Sequence, residues 1–212
     1  MKTVKILSLS TVFVAALSSC GSDAVEATDK KEVSTDTVAT IAYGVDTAAS
    51  VLNWHGEKLA YGHDGTIEIT SGELSMKGDT LKAGNFVVDM KTIVETGEGK
   101  PEDKAKLAGH LMAADFFDAE KYPVSKFEIT AAVKKDGKYE VSGNLMIKDS
   151  TKNITFPADI KVEGDKVTAT AEFTIDRTQW NVVYGSGISG AVGDNIISND
   201  IKFKVNLVAN KK

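Results

Sequence analysis

The sequence predicts an all-β domain: an antiparallel barrel of about eight strands with one inserted α-helix. Apolar residues recur at every second position through most of residues 41–212, Gly/Asp turns separate the runs, and one stretch switches to helical spacing. Composition sets the outer bounds. With 42% hydrophobic and 26% charged residues, the 212-residue chain has room for one globular domain of moderate size. One cysteine and three histidines exclude a disulfide scaffold and cysteine-rich zinc modules, and a net charge of -5 argues against a nucleic-acid partner.

The N-terminus is expected to lie outside the domain. Lys2 and Lys5 precede an apolar run from Ile6 to Leu17, too short to span a bilayer but suited to the core of a secretory signal peptide. Leu17-Ser18-Ser19-Cys20 resembles a bacterial lipobox, so residues 1–19 read as a lipoprotein signal peptide and Cys20 as the lipidation site; the alternative is an unmodified thiol. Residues 20–40 then read as the lipidated cysteine and a flexible tether, since the stretch after the cysteine lacks aromatic residues and leucine and is rich in Ser, Thr, Asp and Glu. No aspartate adjoins Cys20, which favours the outer membrane within the cell envelope, facing the periplasm or the surface. Two or more acyl chains anchor stably.

Residues 41–212 carry the barrel. Early strands hold Leu52 with Trp54, Ile67 with Ile69, and Phe86 with Val88 and Met90, and a phase slip at Ser71-Gly72 signals a bulge. Later strands alternate cleanly: Phe127, Ile129, Ala131 and Val133; Val141, Gly143, Leu145 and Ile147; Ile154, Phe156 and Ala158; Ala169, Ala171 and Phe173; then Ile201, Phe203 and Val205. Between the halves, Pro101 to Ala114 has Leu107, Leu111 and Met112 at helical spacing, with Glu102 and Asp103 in the first turn. An aromatic turn, Phe116-Phe117 to Tyr122-Pro123, follows and is expected to cover one end of the barrel.

Turn chemistry suggests a register. A three-residue loop at Lys135-Asp136-Gly137 pairs Ile129 with Gly143, a loop ending at Ser150-Thr151 pairs Gly143 with Ala158, and Gly164-Asp165 pairs Ala158 with Ala171. Gly143, Ala158 and Ala171 would then form a transverse row of small residues beside a large row of Phe127, Leu145, Phe156 and Phe173. The small row either leaves interior volume for a ligand or permits strong curvature against large side chains opposite. Pro157 cannot donate to a ladder, so its strand is expected to have a bulge or an open side there.

Several of these stretches together resemble a known family: Tyr43-Gly44-Val45-Asp46, Ser50 to Gly56 with Trp54, Phe86 to Met90, the block from His110 to Asp118 with Lys121-Tyr122-Pro123 and Phe127, and Val141 to Leu145. The pattern is similar to the YceI-like family over most of residues 41–208. The resemblance implies a lipocalin-like barrel around a long apolar tunnel. Its ligand would be a polyisoprenoid, a quinone or another long-chain amphiphilic lipid, in a protein that is periplasmic or secreted. Trp54, Phe86, Val88, Phe127, Ile129, Gly143, Leu145, Phe156, Ala158, Ala171 and Phe173 are the candidate ligand-lining residues, with His110 and Arg177 as polar candidates near the mouth.

His110 either closes the pocket or satisfies groups in the helix-to-strand turn. Arg177, the one arginine, either binds a phosphate or carbonyl headgroup or pairs with Asp176. No nucleophile elbow is present, and His55, His63 and His110 lack metal-ligand spacing, so no catalytic or metal residue is assigned and no resident cofactor beyond a bound lipid is expected. Gly185 to Gly190 lacks the GKS ending of a phosphate loop and reads as a rim loop. Two functions remain: a lipid-anchored, non-enzymatic carrier or sequestering protein with a ligand inside its barrel, or an envelope interaction protein whose barrel is filled. Oligomeric state is not legible.

Overall fold

The computed structural model describes residues 23–33, 39–58 and 61–212. Residues 1–19 and Cys20, read as signal peptide and lipidation site, lie outside the described residues. The strands are β1 (Thr28–Asp29), β2 (Ile41–Val45), β3 (Val51–Lys58), β4 (Tyr61–Lys77), β5 (Thr80–Glu95), β6 (Val124–Lys135), β7 (Lys138–Ile147), β8 (Ser150–Glu163), β9 (Lys166–Asp176) and β10 (Ile197–Lys211), with helix α1 (Pro101–Met112) between β5 and β6. They close into an eight-stranded antiparallel barrel with a lipocalin-like architecture. β2 and β3 share one barrel position, since both pair with β10 and with β4. Where the chain bulges between them, the Ser50 hydroxyl bonds the Val208 backbone in place of a ladder partner.

The expected bulge is present: Ile69 pairs with Val88 and Ser71 with Val87, leaving Thr70 over. The expected Ile129↔Gly143 and Ala158↔Ala171 pairs also form. Two details differ. Asp136 and Gly137, both with positive φ, make a two-residue turn closed by Lys135↔Lys138, and the pairing at Ile129 is recovered because the register shifts between Ile129 and Ala131. Gly143 pairs with Ile154 rather than Ala158, because the β7–β8 turn is the tight Lys148-Asp149 pair, with Lys148 at φ 54. That slip is an even number of residues, so every side chain keeps its face while the proposed small row breaks up.

β8 and β9 separate beside Pro157. Their ladder ends at Ala158↔Ala171, and the residue before Ala158 has no N–H to give. The N-terminal segment occupies the gap instead of forming a tether throughout residues 20–40. Ala24 bridges Thr174 of β9, the Val25 N–H donates to Thr174 O at 2.8 Å, and β1 pairs with Lys152 and Asn153 of β8. Asn144 then grips the Lys31 backbone twice, accepting from its N–H at 3.0 Å and donating to its carbonyl at 2.8 Å. Polar composition argued for a tether, but unpaired strand edges supply the backbone partners that such a segment lacks by itself. Asn144→Ala is expected to free this strap, with faster amide exchange at Val25 and Lys31 and a loss of about 1–2 kcal/mol in urea unfolding; unchanged exchange at Lys31 would contradict the clamp.

Candidate ligand cavity

The alternation that builds the wall also lines an interior cavity of about 450 Å³, within the range of small-molecule sites. Twelve of the thirteen candidate residues border it. Trp54, Phe86, Val88, Phe127, Ile129, Leu145, Phe156, Ala158, Ala171 and Phe173 form its apolar sides, and His110 and Arg177 meet it near α1. Gly143 does not. It lies under the Phe127 ring, where an added Cβ would come within 2.2 Å of the ring, so its role is to seat that ring.

An aromatic belt crosses the wall. Ring centroids are 6.4 Å apart for Phe86–Phe127, 5.4 Å for Phe127–Phe156, 4.2 Å for Phe156–Phe173 and 5.6 Å for Phe173–Phe203. The stacked Phe156–Phe173 pair lies where β8 and β9 part, so ring contact covers the seam that backbone bonds leave open. Buried Leu74, Leu81, Met76 and Tyr139 close the far end, the tyrosine hydroxyl donating to Asp79 O.

The mouth lies between α1, the β3–β4 hairpin and the segment joining β9 to β10, as Lys58, His63, Leu107, His110, Tyr184 and Ile197 all border the cavity. Pro101 starts α1, with Glu102 and Asp103 in its first turn. The aromatic turn returns N–H groups to the last helical carbonyls, Phe117 to Leu111 and Ala119 to Met112, and sets buried Phe116 and Phe117 at the cavity. The His110 ring packs edge-on against Tyr184 at 4.8 Å, and its Nε2 is 3.3 Å from an Asp115 oxygen, so it joins the helix to the rim loop by side-chain contacts.

Arg177 was expected at the rim or paired with Asp176. Instead it begins a 3-10 turn, Arg177–Trp180, and is only 1% exposed. Asp176 is occupied otherwise, accepting from the Thr178 N–H and hydroxyl. The guanidinium donates to the carbonyls of Ser198 (3.0 Å), Val182 (2.6 Å) and Ile197 (3.2 Å) and lies 5.1 Å from the Phe116 ring centre. Among the described residues no carboxylate forms an ion pair with it. Burial pushes its pKa down from the ordinary value, with the nearby Asp176 charge opposing. Two features escaped sequence reasoning. His63 borders the cavity with Nδ1 2.8 Å from the buried Glu95 carboxylate, and the Trp54 indole N–H is buried without a partner among the described residues. The three histidines do not converge: among the described residues no three His, Cys, Asp or Glu side chains assemble as a metal-ligand set.

An antiparallel barrel closed at one end, open at the other and hollow between defines a lipocalin-like class of protein. The chain belongs to the YceI-like family, whose domain matches residues 43–209. It is 32% identical over 116 residues to a UPF0312 protein of Pseudomonas putida strain W619, covering 53% of this chain and 57% of that protein. It is 31% identical over 121 residues to one of Vibrio cholerae, covering 55% and 61%. The matches therefore span little more than half of these relatives. Among solved structures, Burkholderia cenocepacia BcnA superposes with a TM-score of 0.66 at 22% identity, over 78% of this chain and 99% of that one. A polyisoprenoid-binding domain from Saccharophagus degradans superposes with 0.59 at 16%, over 81% and 99%. At these identities the likeness establishes the fold.

On the outside of the β3–β4 hairpin, His55 bonds Asp64 at 2.9 Å and Glu57 at 3.2 Å. The Asp64 hydrogen bond raises the His55 pKa above its ordinary value, against partial desolvation. The resulting stabilisation is complete below about pH 6.5 and fades as pH rises through the elevated folded-state pKa. The melting temperature of His55→Gln is thus expected to fall less than that of the parent between pH 6 and pH 8.5, measured by calorimetry; equal falls would remove His55 from the pH dependence.

Proposed function

We propose that this protein binds one long-chain lipid, an isoprenoid, a quinone or a related amphiphile, with its tail in the barrel and its electron-rich head near Arg177, and that it acts by carriage, storage or sequestration rather than catalysis. The observation that carries this reading is a cavity of about 450 Å³ with an apolar lining and one buried cation beside it. A filled interior, as the alternative of a purely structural barrel requires, does not match that volume. Tail affinity would come from apolar burial, at roughly 25 cal/mol per Å². Head selectivity would come from Arg177: a guanidinium has five N–H donors, and its three bonds to backbone carbonyls leave two without a partner among the described residues. The polyisoprenoid-binding neighbour from Saccharophagus degradans supports the lipid class by analogy. The signal segment and Cys20 support an acyl-anchored protein of the cell envelope, outer membrane included.

Native mass spectrometry and organic extraction of the chain from residue 20 onward, carrying Cys20→Ser, are expected to show one co-purified lipid per chain; an empty barrel after extraction would contradict the reading. Ala171→Leu should reduce that lipid by filling its space. Arg177→Gln is expected to weaken binding of a lipid with an anionic or carbonyl head by about tenfold or more while leaving a headless hydrocarbon unaffected. A melting curve shows whether the rim turn survives each change.

A further inference from the structure

Beside the cavity mouth, a group of apolar side chains faces solvent. Ile188 is 72% exposed, Val192 74% and Tyr61 72%, with Ile196 at 40% and Tyr184 at 41%. Four of these lie on residues 184–196 and Tyr61 starts β4, and the two loops adjoin because Ile197 pairs with Lys58. Tyr184 and Ile197 also border the cavity, so the exposed apolar rim runs directly into the apolar interior. Asp194 is the one charge in residues 184–196. Single exposed apolar side chains are ordinary on a protein surface, whereas a cluster at the entrance to an apolar cavity marks a contact surface.

The position of the strap points to the partner. Ala24 is held at Thr174, two residues before the end of β9, the end at which Arg177 and the mouth lie. Two residues, Gly21 and Ser22, separate Cys20 from Asp23, a reach of at most about 11 Å over three Cα steps. A lipid on Cys20 would hold this part of the barrel beside the bilayer instead of at the end of a long tether.

We propose that the rim of Tyr61, Tyr184, Ile188, Val192 and Ile196 inserts into the surface of a lipid bilayer, seating the mouth on the membrane so that an apolar ligand passes between bilayer and barrel without crossing water. The ligand, but not the docking, rests on the lipid-binding function proposed above. Flotation with vesicles of phosphatidylethanolamine and phosphatidylglycerol (3:1) tests it, using the chain from residue 20 with Cys20→Ser, which keeps every described residue and removes the anchor. The parent is expected to float with the vesicles. Ile188→Asp combined with Val192→Asp is expected to partition about tenfold or more less, with unchanged melting temperature and extractable lipid. Equal flotation of the two proteins, or a parent that stays behind with lipid in its barrel, overturns the proposal. So does a dimer of the parent that the double variant loses without any flotation, which would assign the rim to a second copy. Flotation lost in the variant while both barrels are empty sustains the docking and rejects the lipid-binding function instead.

Discussion

A closed barrel must satisfy the edge of every strand, and Pro157 breaks that rule at one place. Without an N–H at that residue, β8 and β9 pair only from Ala158↔Ala171 onward, toward the closed end. Toward the mouth the seam is made by other means: the Phe156–Phe173 stack inside, and the strap from Ala24 to Lys31 along the edges and over Asn144. One missing donor thus determines where residues 24–31 bind.

Arg177 supplies the second constraint. A buried cation costs desolvation, which three backbone carbonyls and the face of Phe116 offset in part. The same bonds tie the end of β9 to the start of β10, so the buried cation beside the cavity also fixes both ends of the segment bearing Ile188 and Val192.

Much of the fold was legible because a barrel wall is a local, period-two pattern. The helix, a bulge expected at Ser71-Gly72 and found one residue earlier between Ile69 and Ser71, and two of the three anchor pairs followed from spacing and turn residues. The third pair, Gly143 with Ala158, failed because the Lys148-Asp149 turn is shorter than expected; the even slip preserved the inward faces, so twelve candidate residues still border the cavity. Gly143 was misassigned for a physical reason: a residue with no side chain leaves room either for a ligand or for a neighbour, and here the neighbour is Phe127.

The sequence by itself determined the barrel, its helix and the apolar character of its interior, since each depends on residues close in the chain. Tertiary structure alone decided that the interior is hollow, that Arg177 is buried against carbonyls 5 and about 20 residues away rather than paired with Asp176, and that residues 24–31 are bound to β8 and β9. Those outcomes depend on which surfaces meet across the closed sheet. Alternation specifies a face for each side chain, but not the side chain that fills the space opposite.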